Sequence, residues 1–413
     1  MNRKLSITII IIVLIGGFVL IKYKRVPIPK IENPILTSGY NIDQYTTNLD
    51  GPRVMEFDAK GRMIISETKV GKVIIVEDKN KNGMIEDREK AVLLGNLKSP
   101  HGLAFYTDKR TSVTYLYIAE TQQVNRYVYN IDAGVISGKG ENIAKFPEGG
   151  RHYTRTISFG PNLRKNPIIS GNGAVDTLSE TKLYISVGSS CDACVEDSWK
   201  RGAILESDPE GSFLAEFAGG LRNSVFFTFN PNTKELWATE MSRDNLGDNL
   251  PPDEINIIKA PDKNDQFGAK RYGWPFCYGN KVKDATFNPG TYTRKDLFED
   301  CSMTVAPEIE IPAHSAPLGL IFVKSNKFPK DWQGDLLVAY HGSTNRSEKI
   351  GYKIARFKKN TDGKYLYAGD LASGWLKDGV VSGRPVDLKF GPDGSLYVSD
   401  DYSGIVYKIT YPQ

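Results

Sequence analysis

Phe390-Gly391-Pro392-Asp393-Gly394-Ser395-Leu396-Tyr397-Val398-Ser399-Asp400 reads as the Phe that ends an apolar stretch, a Pro/Gly turn, and an alternating strand that stops on an acid. The same unit returns six times, each strand stopping near an acidic or polar residue. Its Phe residues are Phe57, Phe105, Phe159, Phe229, Phe322 and Phe390, and the other five following strands are Ile64-Ile65-Ser66-Glu67, Leu116 to Glu120, Leu183 to Val187, Leu236 to Glu240 and Leu336 to Tyr340. Further strand-like runs follow most of them, as in Val73 to Val76, Val124 to Tyr129, Ile255 to Ile258, Tyr352 to Phe357 and Ile405 to Ile409. Strand clusters recurring every roughly 40–50 residues, plus insertions, are the signature of a propeller, whose blades cannot bury their faces alone. The fold class is therefore all-β, a six-bladed β-propeller, with Gly39 to Asn48 supplying a strand that closes the last blade. The longest spacing, Phe229 to Phe322, contains a Gly-, Pro- and aromatic-rich stretch, residues 259–314. It reads as an insertion at the channel mouth that carries specificity, with a seventh blade as the alternative.

In a propeller the turns entering the innermost strands converge on one mouth of the axial channel. The residues just before each Phe unit are Arg53, His101, His152 with Arg155, Arg222 with Asn223, His314 with Pro317, and Arg384. Of four histidines in the chain, three fall in this set, and His341 ends the second strand of the fifth unit on the same rim. A ring of His and Arg with few acids suits an anionic, planar ligand. The plain alternative is a set of polar loops.

The chain has 413 residues, 53 Lys and Arg against 49 Asp and Glu, and a formal charge of +4. Its basic residues are spread along the sequence, so nucleic acid is not indicated. An apolar run from Leu5 to Ile21, flanked by Arg3-Lys4 and by Lys22, Lys24 and Arg25, is near the lower limit for a membrane-crossing helix. It lacks a small-x-small cleavage signal and a lipobox cysteine. The expected organisation is an uncleaved signal anchor over residues 1–25, a Pro-bearing linker over 26–38, and the propeller over 39–413. Four cysteines allow three pairings; outside the cytoplasm Cys191–Cys194 and Cys277–Cys301 close most easily.

Asp78 to Glu89 matches the twelve-residue calcium loop, with oxygen ligands at Asp78, Asn80 and Asn82, Gly83 at position six and Glu89 at position twelve. Its flanks are strand-like, so a structural calcium in a hairpin is expected, against a solvated Asx-rich turn. A second loop, Arg243 to Asn256, concentrates carboxylates at Asp248, Asp253 and Glu254 with Pro251 and Pro252, and suits a hard cation or a rigid acidic turn.

Gly160-Pro161-Asn162, Gly220-Leu221-Arg222-Asn223, Asp253-Glu254-Ile255-Asn256, Tyr272-Gly273-Trp274-Pro275 and Gly391 to Tyr397, in that order and spacing, resemble the soluble aldose sugar dehydrogenases that use pyrroloquinoline quinone, in particular the sorbosone-dehydrogenase-like branch. The resemblance runs from about residue 45 to the C-terminus. It implies a six-bladed propeller with the quinone at the axial mouth. It places His152 as the general base, Arg222 and Asn223 beside the quinone oxygens, Arg384 on a cofactor carboxylate and His101 at a cofactor contact. The carbonyls of Asp248 and Asn249 align with those that hold the family's calcium. Two departures stand out. Ser189 replaces the Asp that orients the histidine in the glucose enzymes, and the cofactor-binding Lys has no counterpart, His341 and Arg346 occupying that region. The implied activity is oxidation of an aldose or related sugar, with electrons passed to an external quinone or cytochrome and the membrane reached through the N-terminal anchor. The chain contains no haem motif. A globular part outside the cytoplasm, in the periplasm or at the cell surface, goes with this. Competing functions are a calcium-dependent lactonase or esterase, which would need acids around the channel, and a non-catalytic binding propeller.

Overall fold

A computed structural model of the chain describes residues 11–14, 17–20, 34–164, 179–262, 268–292 and 299–412. These belong to two units, Met1–Glu32 and Asn33–Gln413. In the first, the sequence predicts a membrane-crossing helix, but Ile11–Leu14 pairs antiparallel with Gly17–Leu20, Leu14 opposite Gly17. The β-branched Ile11, Ile12 and Val13 suit an extended chain, and a Gly pair interrupts the run. Among the described residues no helix is long and apolar enough to cross a membrane. The rest of the expected anchor, and linker residues 26–33, lie outside the described residues.

The second unit is the six-bladed propeller, each blade built on four antiparallel strands, with a short fifth strand added to the third blade (Lys270–Arg271, parallel) and to the fifth (Ile35–Leu36, antiparallel). The first blade runs Pro52–Phe57, Met63–Glu67, Lys72–Val76 and Lys90–Leu94, and the second Leu103–Thr107, Thr114–Ala119, Gln123–Asn130 and Val135–Lys145. The third is Ile157–Pro161, Thr181–Val187, Ala203–Ser207 and Leu214–Gly219, and the fourth Phe227–Phe229, Leu236–Glu240, Asp253–Ile258 and Ile309–Ile311. The fifth is Pro317–Phe322, Leu336–Tyr340, Lys353–Lys359 and Tyr365–Ser373. The sixth takes Pro385–Phe390, Leu396–Asp400 and Ile405–Thr410 from the C-terminus and Asn41–Thr46 from the N-terminal side, which joins the ends of the ring as expected. No seventh blade exists among the described residues; the long spacing in the fourth blade is an insertion carrying one short hairpin, Cys277–Tyr278 with Val282–Lys283.

Second strands are covered on both faces by neighbouring blades. Every residue of Met63–Glu67, Leu236–Glu240, Leu336–Tyr340 and Leu396–Asp400 is buried, and each large apolar side chain so buried contributes about 1.5–3 kcal/mol. The polar positions within them have structural tasks. Ser186 Oγ donates to Val225 O at 3.1 Å, Thr239 Oγ1 to Leu318 O at 2.8 Å and Ser399 Oγ to Arg53 O at 2.6 Å, each bond crossing to the next blade.

The acid that ends the repeat braces the loop leading into its own blade. Glu67 accepts from Asp50 N, Glu120 from Lys98 N, Glu240 from Arg222 N and Asn223 N, and Asp400 from Arg384 N. The third and fifth blades carry Val187 and Tyr340 at that position instead.

Candidate active site

The leading loops gather around a cavity of ≈ 520 Å³ to which all six blades contribute. That volume lies within the roughly 300–1,000 Å³ usual for cofactor and substrate sites. The charged side chains lining it are Arg53, Lys69, Arg151 and Asp401, alongside His152 and His341. Three cations against one carboxylate leave the wall electropositive.

His152 sits where the third blade lacks its bracing acid. Its Nδ1 lies 2.9 Å from Ser189 Oγ and 3.1 Å from Ser189 O. A carbonyl oxygen only accepts, so Nδ1 carries the proton. The Ser189 hydroxyl gives its own hydrogen to Cys191 O at 2.7 Å, which leaves Oγ free to accept from the ring. This tautomer places the imidazole lone pair on Nε2. Burial holds the ring's pKa down to about 3, helped by the charges of Arg222 and Arg151, so His152 is neutral at pH 7. Close packing requires Gly188, because a Cβ there would lie 2.5 Å from Asn223 Oδ1 and 2.6 Å from His152 Cβ. The leading loop itself is tied down by Arg155, fully buried, donating to His152 O at 2.7 Å and Thr154 O at 2.8 Å.

His341 is bonded differently. Its Nε2 lies 2.8 Å from Asp401 Oδ1, and Arg53 Nη1 lies 2.6 Å from Asp401 Oδ2. Burial lowers the His341 pKa to about 4 against the pull of Asp401. The Asp401 carboxyl is held well below its usual range: burial works to raise it, and the His341 hydrogen bond and the Arg53 charge outweigh that.

The expected cofactor residues divide into two groups. Asn223 and His341 line the cavity. His101, Arg222, Arg346 and Arg384 do not. His101 is fully buried, its Nδ1 3.3 Å from Arg155 O, and burial keeps it neutral. Arg384 donates to His341 O at 3.0 Å and Gly342 O at 2.6 Å, bracing that corner from outside. Arg222 is held behind His152 by Asp192 O, Asp192 Oδ1, Met241 O and Asp244 Oδ2 at 2.7–3.2 Å. His314 donates through Nε2 to Gly247 O at 2.8 Å. Lys69 and Asp401 were missed by sequence reasoning. Both follow the second strand of a blade, as His341 does, whereas the other expected rim residues lie at or before the start of a first strand. The insertion over residues 259–314 was expected to shape the mouth, yet none of its described residues lines the cavity. It packs behind, with Trp274 Nε1 donating to Asp192 O at 3.1 Å.

The wall fits a planar polyanion such as the quinone: three cations face the space, and Arg53 Nε is buried without a partner. The loop expected to hold calcium does not fit that ion in this structure. Arg346 donates to Asp248 O and, at 3.1 Å, to Asn249 Oδ1, while Ser347 N donates to Asp248 Oδ1 at 3.1 Å. A guanidinium thus occupies one of the two backbone carbonyls a cation would need, that of Asp248, together with the Asn249 side-chain oxygen. Asp253 accepts from Ser242 N and Ala316 N, both at 2.9 Å, and Glu254 from Gly279 N at 2.8 Å and Asn256 Nδ2 at 3.0 Å, so both buried carboxylates serve as braces. Burial raises their pKa values to about 7 and about 8. Among the described residues the one grouping with metal-ligand spacing is Cys191, Cys194 and Glu196, and its two sulfurs are joined in a disulfide. The other calcium candidate lies at the outer side of the first blade, away from the cavity lining. There Asp78 accepts from Gly83 N at 2.9 Å and Asn82 N at 3.1 Å, Asn80 Oδ1 from Asn82 N, Asn82 Oδ1 from Met84 N, and Glu89 from Lys79 N, Asn80 N and Glu86 N.

Residues 34–412 match the model of the TrAA12-like family. The chain is 28% identical over 382 residues to an uncharacterized protein of Borreliella burgdorferi, covering 91% of this chain and 90% of that one. It is 23% identical over 402 residues to a pyrroloquinoline quinone-dependent sugar dehydrogenase of Hypocrea jecorina, covering 91% and 88%. The holo form of the pyranose dehydrogenase PQQ domain of Coprinopsis cinerea superposes with a TM-score of 0.68 at 22% identity, over 93% of this chain and 98% of that one.

Proposed function

The chain belongs to the TrAA12-like family, and from that premise we propose that it is an oxidoreductase that oxidises an aldose or a related sugar aldehyde or hemiacetal with pyrroloquinoline quinone. The observation that carries this reading is His152, a neutral imidazole whose Nδ1 proton is fixed by Ser189 and whose Nε2 is left as the base, in a cation-rich cavity. His152 Nε2 takes the proton from the anomeric hydroxyl. Asn223 and His341 would offer polar contacts to the quinone, while Arg53, Lys69 and Arg151 would hold its carboxylates. When bound, the quinone supplies the two-electron acceptor for the hydride. Arg222, held behind His152 by Asp192 and Asp244, adds positive charge near the reacting centre. A separate quinone or cytochrome takes the electrons onward.

The location proposed is extracytoplasmic, supported by the two disulfides, Cys191–Cys194 and Cys277–Cys301. A calcium-dependent hydrolase is disfavoured because Asp401 is the sole carboxylate among the described residues that line the cavity, and both its oxygens are engaged. The experiment is sugar-dependent dye reduction by residues 39–413 reconstituted with the quinone, across a panel of aldoses, beside His152→Ala. Activity lost in the variant supports the reading; quinone-independent ester or lactone hydrolysis by the same preparation overturns it.

A further inference from the structure

The loop closed by the Cys191–Cys194 disulfide lies directly behind the base, and its one acidic side chain between the cysteines is the hub of the charges there. Asp192 Oδ1 accepts from Arg222 Nη2 at 2.7 Å and from Asp244 N at 2.8 Å. Its backbone carbonyl accepts from Arg222 Nε at 3.0 Å and Trp274 Nε1 at 3.1 Å. Arg151 and Arg243 stand 3.8 Å from its two carboxylate oxygens. One residue thus takes two of the Arg222 bonds, and it ties the third-blade loop to the fourth-blade loop at Asp244.

The same loop reaches His152 by a second route. Cys191 O receives the Ser189 hydroxyl hydrogen, and that bond turns Ser189 Oγ into the acceptor for His152 Nδ1. The loop is pinned at Ser190, whose amide donates to Glu196 and whose hydroxyl donates to the same carboxylate at 3.0 Å. Ser189 supplies direction to the imidazole but no charge. Around it stand three guanidiniums, Arg151, Arg222 and Arg243, and two carboxylates, Asp192 and Asp244.

We infer that Asp192, carried on the disulfide-closed loop, is a positioning residue for this site: it fixes Arg222 behind His152 and supplies the negative charge that Ser189 cannot. Orientation and charge compensation, which a single carboxylate on the imidazole would combine, are here divided between Ser189 and Asp192. The inference rests on the reading of His152 as the base. The disulfide holds both parts together, since Cys191 provides the carbonyl that sets the Ser189 hydroxyl and Asp192 follows it directly.

The test compares Asp192→Asn, Asp192→Glu and the double variant Cys191→Ser/Cys194→Ser with the parent protein, each checked for an intact fold by far-ultraviolet circular dichroism. Asp192→Asn preserves shape and removes charge. We expect its kcat to fall about tenfold with KM within about twofold, and the acid limb of kcat against pH to move to lower pH, because the protonated imidazole loses its compensating charge. Asp192→Glu restores part of kcat and returns the limb towards its original position. The cysteine double variant, which loosens both parts, lowers kcat and moves the limb in the same direction as Asp192→Asn. An unchanged kcat and pH profile in Asp192→Asn overturns the inference while leaving the dehydrogenase reading intact. If the parent protein turns over no sugar, exchange of the Arg222 Nη2 protons in the unliganded protein decides, since Nη2 is the atom bonded to the Asp192 carboxylate: Asp192→Ala accelerating it at least tenfold supports the positioning role, and an unchanged rate overturns it.

Discussion

Two corners of the cavity hold a histidine each, and they are wired in opposite senses. At the third-blade corner His152 gives its Nδ1 proton to a hydroxyl and a carbonyl, and the carboxylates Asp192 and Asp244 bond to arginines instead. At the corner shared by the fifth, sixth and first blades His341 is bonded to the Asp401 carboxylate, whose other oxygen is held by Arg53. The second arrangement is closed within the wall, a fixed polar surface suited to gripping a ligand. The first leaves a neutral ring with a lone pair facing the cavity, suited to taking a proton. Both corners arise where the repeat drops its bracing acid: Val187 and Tyr340 stand where the other four blades have Glu or Asp. The leading loops are secured there by other means, Arg151 N and His152 N bonding back to Ser190 O and Ser189 O, and Ala316 N bonding to Asp253.

The largest expected contrast is between His152→Ala and His341→Ala. Removing the base lowers sugar turnover about 10²–10⁴-fold while quinone affinity changes little; removing His341 weakens quinone binding and spares turnover at saturation. Equal losses of kcat in the two variants, measured by saturation kinetics, break the comparison. Next, Arg53→Ala removes a cavity-facing guanidinium with a buried free Nε and weakens quinone binding by about 10–100-fold, from the roughly 1.5–3 kcal/mol of a charged hydrogen bond; fluorescence titration reads this directly.

The pH dependence of stability sharpens the same contrast. His152 has its folded pKa lowered to about 3, so between the unfolded value of about 6.5 and that point the unfolded chain binds the extra proton. The contribution of the neutral ring is complete above about pH 6.5 and is lost as pH falls through the window. Between pH 6.5 and 5 the stability advantage of the parent over His152→Ala should shrink by about 2 kcal/mol, measured by urea unfolding at both pH values. An advantage that grows on acidification contradicts the burial argument. The smallest effect concerns the loop over residues 78–89, remote from both corners. Calcium should raise Tm by roughly a few degrees through mass action, Asp78→Ala should abolish that rise, and chelation should leave kcat unaltered.

Much of this organisation is legible in the chain. The Phe-turn-strand unit gives the blade count, and the missing fourth strand of the last unit points to closure by Asn41–Thr46. His152 is visible as the rare histidine ahead of a blade. The acids that end the repeat are legible as a pattern, but their task of capping leading-loop amides depends on how each loop folds back onto its own blade. Arg222 and Arg384 sit at rim positions, yet their guanidiniums turn outward because carbonyls and carboxylates behind the wall compete for them. Lys69 and Asp401 enter from second-strand ends, and the insertion packs at the back, because such placements are set by contacts between blades. The leading apolar segment shows the limit of counting: hydrophobic length suits a helix, while β-branching and a Gly pair suit the hairpin observed at Ile11–Leu14 and Gly17–Leu20.

The most direct test of the division between a gripping corner and a reacting corner is a single-turnover experiment. Quinone-loaded parent protein, His152→Ala and His341→Ala are mixed with excess aldose, and the visible absorption of the cofactor is followed in time. Bleaching is expected in the parent and in saturated His341→Ala, and at least a hundredfold slower in His152→Ala; bleaching at parental rate in His152→Ala contradicts its assignment as the base.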